Sequence, residues 1–162
     1  MTLTPINFLG EDNLYRNAVK NCIEVLKNNF TQETGRKVTQ YYEEDVLNPN
    51  TPCLAVNVIS SEDIMRSSQN LTQIRYTINI GMEIWYFHGD LTEEIKRNEI
   101  TYILWEINYI LKKNITLNGF VPKMGIEVRG ARWLPQARGS RILAGGVISL
   151  VAKKLFSTAT TL

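Results

Sequence analysis

The residues able to do chemistry are few, and their spacing says as much as their types. The 162-residue chain holds one histidine and two cysteines. His88 stands in a His88-Gly89-Asp90 run that reads as the turn between a strand and a helix, where an imidazole is ordinarily a solvated loop residue. Any Ser-His-Asp or Cys-His triad would have to be built around it alone. Cys22 and Cys53 have no CxxC pattern and no metal-type spacing, so both read as small core hydrophobes. A zinc site would consume every nitrogen and sulfur candidate in the chain. Gly145-Gly146 lies inside an apolar run rather than between a strand and a helix, which is not the place of a phosphate loop. Glu43-Glu44-Asp45 and Glu62-Asp63 could attract a divalent cation, but neither has calcium-loop spacing and both read as solvated clusters. Glu93-Glu94 suits a helix start. These residues predict a protein without catalytic apparatus, cofactor or metal.

The basic residues invite a different chemistry. Arg129, Arg132, Trp133, Arg138 and Arg141 combine cations with an aromatic ring, a set that could track a phosphate backbone and stack a base. A net charge of +2 and the lack of any nucleic-acid-binding signature argue against specific nucleic-acid binding. The distribution of charge is more informative than its sum. Residues 1–118 carry 11 Lys/Arg against 15 Asp/Glu, whereas residues 119–162 carry seven basic groups against Glu127 alone. This asymmetry fits a basic surface strand pair, or a charged face that meets an acidic partner or the complementary pole of a neighbouring copy.

Length and composition suit one domain with a real core: 44% of residues are hydrophobic and 21% charged. The first ten residues show neither the basic start nor the apolar stretch of a signal peptide, and no apolar run approaches a membrane span. The expected setting is a reducing cytosol, or a particle assembled there.

The elements that must position these residues follow from periodicity. Leu14, Ala18, Cys22, Leu26 and Phe30 recur every four residues, predicting a helix over 12–30 with Asp12 as its N-cap. Residues 31–52 turn polar and read as a long loop excursion holding a short strand near Val38–Tyr42. An apolar strand over 53–59 precedes a polar, turn-like stretch at 60–70, in which residues 62–65 could form a helical turn. From Ile74 to Phe87 the chain alternates strictly, a strand over 73–87 more than twice the usual length, of the kind that often projects beyond its own domain. One of its faces is apolar throughout; the other begins polar and ends aromatic, so its far end should also be covered. Gly81 marks a bulge or close backbone approach. Asp90 with Glu93 resembles a capping box, opening a helix to Lys112-Lys113 whose buried stripe (Ile95, Ile100, Ile103, Leu104, Ile107, Ile110, Leu111) is extended sideways by Tyr102, Trp105 and Tyr109. Asn118-Gly119 and Pro122 end it. A strand over 123–133, a loop at 134–140 and a last strand over 141–155 form an antiparallel hairpin, with Gly145-Gly146 implying a bulge or tight packing. Residues 156–162 read as a flexible tail. The predicted fold is α+β: one mixed, mostly antiparallel sheet with two main helices packed on one face.

Taken together, the amphipathic first helix, the long alternating strand from Gln73 to Tyr86, the helix from Leu91 to Lys113 followed by Thr116-Leu117-Asn118-Gly119-Phe120-Val121, and the closing strand pair resemble the tail terminator and related neck or tail-completion proteins of long-tailed bacteriophages. The excursion at 31–52 and the basic stretch at 134–140 depart from that family pattern. The resemblance implies a virion structural protein, assembled in the host cytoplasm, whose subunits close into a ring, commonly six-fold, on the head-proximal end of the tail tube. It implies the tube, possibly the sheath, and the neck connector as partners. A head-completion or stopper protein is the neighbouring alternative, and a small nucleic-acid-binding domain a more distant one. A ring of identical subunits needs one face to meet a different face of the next copy. Charge and geometry, rather than the family, place the expected subunit contacts on Arg129, Arg132, Arg138 and Arg141 and on the long strand, with Arg75 and Glu83 on its polar face.

Overall fold

The computed structural model describes residues 13–31, 38–67, 73–90, 97–123 and 125–159. Asn13 opens the first helix, α1 (Leu14–Asn29): its side-chain oxygen accepts from the Arg16 N–H at 3.0 Å. The cap is therefore one residue later than predicted, and Asp12 lies outside the described residues. Five strands follow: β1 (Gln40–Tyr42), β2 (Cys53–Ser67), β3 (Gln73–Asp90), then, after the second helix α2 (Arg97–Lys113), β4 (Ile126–Arg138) and β5 (Arg141–Ala159).

They make one sheet in the order β1-β2-β3-β5-β4, in which only β1 and β2 run parallel. This is an α+β fold with a mixed, mostly antiparallel sheet. The chain leaves β3, passes through α2 and enters β4 at the far edge, and β5 then fills the gap between them. Side-chain alternation divides the sheet into two faces. Leu54 sits opposite Tyr86 and Val56 opposite Ile84, while Ile148 and Leu150 of β5 face Ile84 and Met82. All are buried, and they form one core with Ala18, Cys22 and Leu26 of α1 and Ile103, Ile107 and Leu111 of α2. Both helices thus cover the same face, α1 over β2 and β3, and α2 over β5 and β4. After α2 the chain reverses through three successive left-handed residues, Leu117, Asn118 and Gly119, with Leu117 anchored in the core.

Several predicted boundaries need correction. The stretch at 60–70, expected as a turn or helical turn, continues β2 to Ser67, because β3 offers an unbroken backbone from Met82 down to Ile74 to pair with. The ladder shifts register between Val58 and Ser60, opposite Gly81, so the bulge lies in the strand beside the glycine. The loop expected at 134–140 is strand up to Arg138, closed by a two-residue turn at Gly139 (φ +59°) and Ser140. The tail expected from 156 is backbone-paired to Ala159, again because β3 extends beside it. His88 does not sit in a turn: it is the bulged residue where the β3–β5 register shifts between Phe87 and Gly89. The capping partner expected for Asp90, Glu93, lies outside the described residues, as do Glu94 and Ile95.

The last buried side chains among those described are Val56 in β2, Ile80 in β3 and Ala152 in β5, whereas the three strands continue to Ser67, Gln73 and Ala159. Past those points no described side chain is buried, and Ile59, Ile64 and Leu155 are exposed. The result is a three-stranded arm in which, among the described side chains, Val58 and Ile78 pack on the edge of the core and none is fully buried.

Candidate functional site

The face of the sheet without helices carries most of the residues singled out above. Alternation puts Glu83, Trp85 and Phe87 of β3 on that face, with Cys53 of β2 and Leu143 of β5 beside Phe87. Trp85 and Phe87, two residues apart, stack with centroids 5.9 Å apart. The aromatic end of the long strand is indeed covered: the Arg138 guanidinium lies over both rings, 5.3 Å from Trp85 and 5.2 Å from Phe87. Its side chain is only 10% exposed, and its Nε lies 3.1 Å from Asp45 Oδ1, close in charge though the N–H is not aligned for a hydrogen bond. Across the hairpin end from Arg138, Arg141 donates through Nε to Asp90 Oδ1 at 2.7 Å and through Nη1 to the Pro49 carbonyl at 2.8 Å. The two arginines therefore clasp the excursion after β1 onto the β4–β5 hairpin. That excursion is ordered by cations nearly a hundred residues away in sequence.

The other predicted contact residues fall elsewhere. Arg132 reaches Glu83 at 3.5 Å, while Glu83 also accepts from Trp85 Nε1 at 3.1 Å. Arg129 stands 3.7 Å from Glu127. These two arginines are 62% and 60% exposed, so their ion pairs contribute little and their charge faces solvent. Arg75 has its backbone in β3 between Arg66 and Ser157; its side chain is outside those described. The structure thus brings Arg138 and Arg141 together, pairs Arg132 with Glu83, and does not group Arg129 with them. Much of the charge asymmetry along the chain is satisfied internally: acids of the first part (Asp45, Glu83, Asp90) meet bases of the last (Arg138, Arg132, Arg141).

Two features escape the sequence reading. His88 is buried rather than solvated: its Nδ1 lies 2.6 Å from the Tyr86 hydroxyl and its Nε2 3.2 Å from Glu99 Oε2 of α2. A neutral imidazole with its proton on Nε2 fits both contacts, accepting from the tyrosine and donating to the carboxylate. It fastens the bulged end of β3 to α2. The second feature is the outer surface of α2. Tyr102, Trp105 and Tyr109 do not widen the buried stripe; they are exposed on the opposite side of the helix. With Glu99, Glu106 and Lys113 they line an open groove of about 690 Å³ between α2 and the end of α1. Glu106 also accepts from the Thr31 hydroxyl at the groove wall, and Lys113 lies over the Tyr109 ring at 4.7 Å. The signal was present, since 99, 102, 106, 109 and 113 recur at helical spacing as a second stripe.

Burial raises both cysteine thiols to about 12 from 9.0; for Cys53 the Arg141 charge and a backbone hydrogen bond from Phe87 pull the other way without prevailing. Neither thiol should therefore react with an aromatic disulfide reagent at pH 8 in the folded protein, and both should react once guanidinium unfolds it. Rapid native labelling of either would contradict this burial. The linkage has a definite sign: each thiol supplies stability that is fully present below pH 9 and lost as pH rises towards 12.

Among the described residues, no three or more of His, Cys, Asp and Glu come together so as to hold a metal ion, and no helix is long and apolar enough to cross a membrane. Comparison with known proteins finds no matching family model and no matching curated relative.

Proposed function

We propose that this chain is a non-enzymatic ring subunit of a bacteriophage neck, a tail terminator that caps the head-proximal end of the tail tube and joins it to the connector. The observation that carries the reading is the three-stranded arm. Strands that run past the last described buried side chains with Ile59, Ile64 and Leu155 exposed gain little by themselves, because a ladder with little covered apolar surface is marginal in water. A second protein surface laid against the arm would supply that cover. The unlike sides of the subunit agree with a ring: an aromatic groove lies on the helix layer, and exposed arginines lie beside the helix-free face. The alternation of the long strand, which underlies the family resemblance, is also the feature that builds the arm.

The reading is tested by the mass of the full chain in solution. Sedimentation across a hundredfold range of concentration should reveal a closed oligomer, six subunits in the expected case. A monomer at every concentration that retards DNA on a gel would favour a small nucleic-acid-binding domain instead.

A further inference from the structure

We infer that the groove on α2 receives the Arg129–Trp133 segment of the next copy, which makes these two surfaces the repeating contact of the ring; the inference rests on the ring reading above. The groove offers exposed aromatic faces, with Tyr102 65% and Trp105 61% exposed, flanked by the carboxylates of Glu99 and Glu106, which also hold His88 and Thr31. A guanidinium suits that combination, since it stacks on an aromatic ring and pairs with a carboxylate at once. The chain carries such groups at one conspicuous place. β4 is an edge strand, and every residue from 129 to 133 is exposed. A bulge between Val128 and Gly130 interrupts its ladder there. Arg129 and Arg132 are held by solvent-exposed or long ion pairs, while the half-exposed Trp133 ring lies on the other face of the strand, beside Arg97 and Ile100 of α2. An open edge carrying exposed, weakly paired cations is a surface that proteins ordinarily cover.

The placement of the two surfaces favours repetition. The groove lies on the outer side of the helix layer, whereas Arg132 pairs with Glu83 on the helix-free face. One subunit can therefore use both surfaces at once, which a head-to-tail ring requires and an isologous dimer does not. Arg138 and Arg141 are already committed to the clasp, whereas Arg129 and Arg132 are exposed and face solvent.

The test uses two full-length variants, Trp105→Ala in the groove and the double variant Arg129→Glu/Arg132→Glu on β4. Sedimentation should show each weakened in self-association by about 30-fold or more relative to the unaltered protein, the scale of an interface hot spot. An equimolar mixture should form a dimer and nothing larger, because one intact groove then meets one intact β4. Circular dichroism melts check that both variants fold; should Trp105→Ala melt early, Tyr102→Ala takes its place. If the unaltered protein oligomerises and both variants assemble equally well, the groove contact is wrong while the ring reading stands. If each variant is monomeric but the mixture yields no dimer, these surfaces do not meet each other and the inference fails. A monomeric unaltered protein overturns the ring reading and this contact with it.

Discussion

Replacing Gly145 by alanine should destabilise the protein by about 3 kcal/mol, towards the upper end of what an overpacked core residue costs. Gly145 lies in β5 opposite Phe87, beside the bulge at His88. A Cβ at that position would fall inside the shell of the Tyr86 carbonyl oxygen and 3.1 Å from the Phe87 Cα. The obstacle is backbone in the middle of a sheet, so no side-chain rotation relieves it. Either the β3–β5 ladder shifts or the bulge reshapes, and both disturb Tyr86, His88 and the link to α2. For a chain of this size the loss corresponds to a fall in Tm of roughly 6–12 °C. Gly119→Ala is the control: its φ of +82° disfavours a side chain, but nothing lies within 4 Å, so about 1 kcal/mol is expected. Thermal melts of the two variants should therefore separate clearly. Equal melting temperatures would mean that the close approach at Gly145 is not a constraint.

Truncating Arg138 to alanine should cost about 2–3 kcal/mol. A desolvated guanidinium over aromatic rings contributes on the order of 2 kcal/mol, and its removal also leaves Trp85 and Phe87 uncovered. Asp45→Asn should cost under about 1 kcal/mol, because that carboxylate is largely solvated. The difference identifies stacking rather than the ion pair as the main contribution. Since the clasp holds the segment after β1, Arg138→Ala should also speed protease cleavage between residues 43 and 52. Urea unfolding with timed proteolysis measures both. Unchanged stability with lost self-association would instead make Arg138 a contact between copies, the role its charge alone suggested.

Alternation and four-residue periodicity made the long strand, both helices and the α+β class legible, because each is a local pattern with one face on the core. The strand ends were not, because what decides them is the partner strand. Residues 60–63 and 157–159 carry polar or small side chains suited to loops, yet β3 beside them supplies the missing hydrogen bonds. The same holds for 134–138, a Pro-containing segment tolerated because β4 is an edge. Glycine at 145 and 146 correctly signalled close packing: a Cβ at Gly146 would lie 2.6 Å from Leu104 Cδ1 and 2.8 Å from the Arg132 carbonyl oxygen.

The candidate surfaces were legible only in part. That Arg129, Arg132, Arg138 and Arg141 matter could be read from charge, but their division into a clasp and an exposed pair depends on where the hairpin folds back. Asp90 and Arg141 are 51 residues apart, and no spacing rule joins them. The burial of His88 likewise follows from a bulge and from Glu99 on another element. The α2 groove was visible as a second helical stripe, but wide aromatic stripes usually pack inward, and only the sheet's position shows that this one faces out.

Assembly into a ring is the centre of this account, and electron microscopy of the purified full chain in negative stain tests it most directly, alone and mixed with tail tubes. Rings of uniform diameter with six-fold symmetry are expected, together with tubes that carry a ring at one end and stop growing. Isolated small particles at every concentration, with tubes that lengthen regardless, would contradict it.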